Sequence, residues 1–170
     1  MENTSTSIAE TELISLTDEE ENGISNLEII ALVGNPSSGK STSLIRLITV
    51  LLGDNNWKLS GNVISQIDFY KIDPNLDGDP KDQVAIFNNK KTGKKVGIVT
   101  PGDSVSIVSA GLKYLALKNV DIAVVAAHSR CFDLFITKIN SLTIGIKSIK
   151  SSLFPATSTK YTEAIKKLID

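Results

Sequence analysis

Arginine occurs only twice in the 170-residue chain, as Arg46 and Arg130, against sixteen lysines, and histidine, cysteine and tryptophan occur once each. A lone Cys131 excludes an intramolecular disulfide, and with His128 as its only soft companion it leaves no ligand set for structural zinc. Aromatic residues make up 5% of the chain, and none interleaves the lysine-rich stretch over 90–95 to support base stacking. The longest strictly apolar run, residues 122–127, falls far short of the roughly 18 to 20 residues that cross a bilayer, so no transmembrane helix and no membrane partner are expected. No Lys or Arg precedes Lys40 and no apolar stretch resembles a secretory signal, which predicts a cytoplasmic location.

Hydrophobic residues at 41% and charged residues at 22% are ordinary for a globular chain, and the length suits one domain. The net charge of −1 hides an asymmetry: residues 1–26 hold seven acids and no base, leaving 12 acids against 18 bases in residues 27–170. A block of like charge predicts a solvated, disordered tail over 1–26. A basic body over 27–170 suits phosphate-bearing ligands or partners.

Residues 27–33 form an apolar, β-branched run typical of a strand buried on both faces of a parallel sheet, and Gly34 ends it. After a turn rich in Gly, Pro and Ser, apolar positions 44, 45, 47, 48, 51 and 52 recur at helical spacing, with Gly53 placed to stop the helix. Residues 57–70 read as extended and 73–82 as a loop. Apolar runs 84–87 and 96–99 flank a turn-forming stretch and predict an antiparallel hairpin. A helix over 104–117, a strand over 122–127, a helix around 133–139, a strand near 143–149 and a helix over 159–169 complete the pattern. The alternation predicts a three-layer α/β fold with a mainly parallel sheet, the hairpin as its antiparallel part, and helices on both faces.

Between the first strand and first helix of that domain stands Gly34-Asn35-Pro36-Ser37-Ser38-Gly39-Lys40-Ser41, which matches G-x-x-x-x-G-K-[ST]. A shuffled chain of this composition would carry such a match about once in eighty. Backbone N–H groups and a helix N-terminus surround an anion at just this kind of junction, so the motif predicts nucleotide binding.

On these eight residues the chain resembles the P-loop NTPase superfamily. The resemblance implies that Gly34 and Gly39 let the backbone wrap phosphates, and that Lys40 contacts the terminal ones as the main catalytic group. It further implies that Ser41 gives its hydroxyl to Mg²⁺ and that Thr42 lies near the α-phosphate. Members of that superfamily place an Asp at the end of a neighbouring strand to orient the magnesium. Asp103, after the run 96–99, is the first candidate here and Asp68 the second; Asp103 has a competing reading as the N-cap of the following helix. Val99-Thr100-Pro101-Gly102 resembles the D-T-P-G stretch of translation-factor-like GTPases, with Val99 in place of the Asp. The guanine-reading N/T-K-x-D pattern is missing after residue 127, where Ala127-His128-Ser129-Arg130 stands, so adenine is the default base.

A strand over 122–127 parallel to 27–33 would open at the same sheet edge as the motif, bringing His128 and Arg130 towards the nucleotide. Arg130 is then either a phosphate-binding, catalytic guanidinium or a surface loop residue. Asp73-Pro74-Asn75-Leu76-Asp77-Gly78 imitates half of a calcium loop, but Val84 stands where the closing Glu belongs, and an ordinary turn is the better reading. Four lysines over 90–95 describe a solvated hairpin tip, with acidic protein or nucleic acid as the partners it would attract.

Three functions follow from the resemblance: a small Mg²⁺-dependent NTPase or nucleotide-controlled switch, a phosphotransferase, or a module that holds nucleotide without turnover. Phosphotransferases of this class clamp phosphates with several lid arginines, which counts against the second in a chain holding two. With no evident water-orienting base, hydrolysis of ATP or another triphosphate is expected to be slow, and a protein partner donating an arginine in trans would accelerate it.

Overall fold

The computed structural model describes residues 18–35, 39–65, 83–102, 105–134, 143–151 and 159–170. Among the described residues seven strands form one mixed sheet: β1 (Glu28–Gly34), β2 (Trp57–Leu59), β3 (Ile64–Ser65), β4 (Gln83–Asn89), β5 (Lys95–Val99), β6 (Ile122–His128) and β7 (Gly145–Lys150). Their order is β2-β4-β5-β6-β1-β7, with β3 also on the outer edge of β4. β5, β6, β1 and β7 run parallel, while β4 is antiparallel to β5, β2 and β3. The expected hairpin is therefore β4–β5, and it widens the parallel core of the sheet on one side.

The central strands are apolar throughout because both of their faces are covered. Along β1, Ile29, Ala31 and Val33 enter one core while Ile30 and Leu32 enter the other, and β6 divides in the same way, with Ala123, Val125 and Ala127 opposite Ile122, Val124 and Ala126. This is the two-residue period of a pleated strand, with both halves apolar. On the second face lie α2 (Lys40–Leu52) and α5 (Lys160–Ile169), which contribute Leu44, Leu47 and Leu51 and Tyr161, Ile165 and Ile169. On the first lies α3 (Val105–Leu117), which contributes Val108, Leu112 and Leu115; the short α4 (Ser129–Leu134) follows β6 directly.

Two expectations need correction. Residues 18–25, assigned to a disordered tail, form helix α1 (Asp18–Ser25), which packs against α3 with Ile24 fully buried. Burial of Ile24 and Leu27 anchors this segment, and Asp18 stands at the helix N-terminus, where the helix dipole favours negative charge. The helix expected around 133–139 instead begins at Ser129, straight off β6; residues 135–139 lie outside the described residues. Residues 1–17, 66–70 and 73–82, which carry the rest of the tail, part of the extended segment, Asp68 and the calcium-like turn, also lie outside them.

Candidate functional site

β1 delivers Gly34 to the carboxyl end of the parallel strands, and the chain re-enters regular structure at Lys40, the first residue of α2. Gly39 occupies the N-cap position with φ 86°, a left-handed conformation that costs glycine nothing and would strain a residue with a Cβ. Glycine also brings no side-chain oxygen: α2 has no side-chain cap and no acid in its first turn. The unpaired N–H groups that every helix N-terminus carries, and the positive end of its dipole, are therefore not neutralised from within this helix.

The Lys40 side chain is buried, 5% exposed, and folds back so that Nζ donates to the Asn35 carbonyl at 2.7 Å. An ammonium is thus held against the last described residue of the loop after β1. Thr42 is exposed. Pro36, Ser37, Ser38 and Asp103 lie outside the described residues.

Ser41 faces the other way, towards the sheet, and its Oγ donates to the Thr100 carbonyl at 3.0 Å. This contact spans the sheet in an unexpected manner, because β6 stands between β1 and β5. Residues 100–102 reach Ser41 by lying over the carboxyl end of β6. The Gly102 carbonyl accepts from the His128 N–H at 3.0 Å, and Gly102 sits so close to Ala126 that a Cβ there would meet the Ala126 carbonyl oxygen at 2.1 Å. Thr100 itself is fully buried and tied to the start of β4: its N–H donates to the Gln83 carbonyl at 3.0 Å, and its Oγ1 accepts the Gln83 N–H at 2.9 Å.

His128 pairs with Gly34 in the parallel register, so the sheet does bring it beside the motif. Its Nδ1 accepts the Arg130 N–H at 3.2 Å, which closes the turn into α4. Arg130 is exposed on the first turn of that helix. Arg46 is not at this end; it lines the groove between α2 and α5 with Thr49, Glu163 and Lys166. The lysine-rich tip of the β4–β5 hairpin is remote too, since it precedes β5 and so lies at the amino end of the parallel strands.

Among the described residues no group of three His, Cys, Asp or Glu side chains could hold a metal ion, and no helix is long and apolar enough to cross a membrane. Sequence reasoning missed Thr100 as a partner of Ser41, although the Val99-Thr100-Pro101-Gly102 stretch carrying it was conspicuous. Gln83 had no sequence signal, because its role is made by backbone pairing. Set beside known protein families, curated proteins and solved structures, the chain matches none.

Proposed function

We propose that the chain binds a nucleoside triphosphate, ATP by default, in the manner of a P-loop protein, and acts as a slow NTPase or nucleotide-controlled switch. The observation that carries this reading is the junction itself. A buried strand ends at Gly34, a left-handed Gly39 opens a helix with no side-chain cap, and the Lys40 ammonium is turned back onto the Asn35 carbonyl. In P-loop proteins backbone N–H groups, a helix dipole and a lysine converge to form an anion site, and the spacing of the motif here is that of a polyphosphate binder.

In this reading Lys40 leaves the Asn35 carbonyl for the β- and γ-phosphates, where fixed positive charge stabilises negative charge as it redistributes. Gly34 and Gly39 allow the backbone to approach the phosphates without a side chain in the way. Ser41 suits a magnesium ion, since its proton is already committed to Thr100 and its lone pairs are not. When bound, the ion would neutralise phosphate charge. Arg130, on the exposed first turn after β6, is the one arginine near this end of the sheet among the described residues. The shortage of arginines favours hydrolysis or switching over phosphotransfer.

A nucleotide panel tests the proposal by calorimetry and by thermal melting of the same preparation. ATP with Mg²⁺ at about a hundred times its Kd should stabilise the fold by about 2.7 kcal/mol, and Lys40→Ala should remove most of that gain while the free protein still folds. Equal shifts in both proteins would refute the assignment. Phosphate recovered on an added acceptor, in place of free phosphate, would establish phosphotransfer.

A further inference from the structure

We propose that the tip of the β4–β5 hairpin is a docking surface for an acidic, extended segment of a partner protein. The surface lies at the opposite end of the sheet from Gly34 and Lys40 and owes nothing to the nucleotide-binding reading.

Lysines gather here without acids to answer them. Lys90, Lys91 and Lys94 are exposed on the turn, and Lys58, exposed on β2, is brought beside them by the pairing of β2 with the end of β4 and by the Lys90 N–H donating to the Asn56 carbonyl at 2.8 Å. None of these four ammonium groups meets a carboxylate among the described residues. Acids at the same end of the sheet have other partners: Glu28 pairs with Lys147, Asp54 and Asp170 pair with Lys166, and Asp121 accepts the Lys95 N–H at 2.8 Å.

The turn that carries the lysines is built, not loose. Asn89 is fully buried, and its Oδ1 accepts from the Lys91 N–H at 2.9 Å, the Thr92 N–H at 3.3 Å and the Asn56 side chain at 3.1 Å. The Gly93 N–H donates to the Asn89 carbonyl at 2.7 Å, with Gly93 in the left-handed conformation at φ 75°. Lysines mounted on a fixed turn keep their charges together with little backbone left to order on binding, and a row of carboxylates laid alongside relieves their mutual repulsion.

The composition of the patch favours polypeptide over nucleic acid. Both arginines are elsewhere, Arg46 between α2 and α5 and Arg130 on α4, so the tip offers phosphates no guanidinium fork. No aromatic residue stands on the turn to stack a base. A net charge of −1 gives a long polyanion no overall attraction to the chain, whereas a short acidic peptide responds to the charges within a Debye length, about 8 Å at physiological salt.

The test titrates the full chain into a fluorescein-labelled octaglutamate peptide and, separately, a labelled thymidine octanucleotide, and reads each Kd by anisotropy at low salt. Wild type should bind the peptide more tightly than the oligonucleotide, and added salt should weaken that binding. Lys91→Glu combined with Lys94→Glu should weaken it about tenfold or more. Lys150→Glu combined with Lys160→Glu, the same change of net charge made at the carboxyl end of the sheet, should leave it within about twofold. All four positions are exposed, and circular dichroism should show both variants folded as wild type is. Absence of peptide binding by wild type, equal weakening in the two double variants, or tighter binding of the oligonucleotide overturns the proposal, and the last of these would make the tip a nucleic-acid surface.

Discussion

Gly102 has no room for a side chain, and this crowding fixes the loop that carries the Thr100 carbonyl. An added methyl group would press on the Ala126 carbonyl at 2.1 Å, a backbone atom in the middle of the sheet that has nowhere to go. Gly102→Ala should therefore lift the 100–102 loop off β6 and cost about 1 to 3 kcal/mol in urea denaturation. Because the same loop carries the acceptor of Ser41, the variant should also weaken the magnesium-dependent part of ATP binding. Lys40 is different in kind. Its ammonium donates a charge-assisted hydrogen bond to the Asn35 carbonyl, so Lys40→Ala should lower stability by about 1.5 to 3 kcal/mol, and its main effect should be on the ligand.

At the scale of elements, α5 is tied to the far edge of the sheet by polar contacts as well as by its apolar stripe. Asn89, fully buried at the end of β4, donates to the Ile169 carbonyl, and Trp57 Nε1 donates to Asp170. Lys166 bridges Asp170 at 2.8 Å and Asp54 at 3.1 Å. The Asn56 N–H and the Lys166 ammonium hold the Asp54 carboxyl below its ordinary 3.8. Hydrogen bonding to Asp170, then to Asp54, raises Lys166 above 10.5 against its partial burial. The signs follow directly. The depressed Asp54 contributes stability above pH 3.8 that is lost as pH falls through its folded value, and the raised Lys166 contributes below pH 10.5 and is lost as pH rises through its own. Lys166→Met should accordingly melt below wild type between those limits, with the gap closing at both extremes of a melting-temperature series. These pairs are partly exposed, so added salt should narrow the gap as well.

For the whole molecule, the sheet separates two ends of different composition. The carboxyl end of the parallel strands carries Gly34, Lys40, the 100–102 loop and His128; the amino end carries Lys90, Lys91 and Lys94 on the hairpin tip. An acidic partner drawn to the tip would leave the candidate nucleotide site uncovered. One sheet also links the two apolar layers, and this has a measurable consequence. Leu47→Ala on the α2 face and Leu112→Ala on the α3 face, both at fully buried positions, should each cost about 2 to 5 kcal/mol. Fluorescence and circular dichroism should still report one coincident transition in each variant, because the strands between the layers are shared.

The sequence by itself determined the alternation of strands and helices and the place of the glycine-lysine-serine motif between β1 and α2. Both are local properties: apolar periodicity, β-branched runs, and glycine where the backbone needs a left-handed turn at residue 39. It misread residues 18–25, because seven acids over 1–26 outweigh one Ile24 in any compositional argument, whereas in the fold that isoleucine is fully buried. Tertiary structure decided strand order, and through it the partner of Ser41. No local pattern indicates that β6 inserts between β1 and β5, or that residues 100–102 cross its end to reach α2. Fifty-nine residues separate Ser41 from Thr100, and a hydrogen bond over that distance arises only from the packing of everything between them.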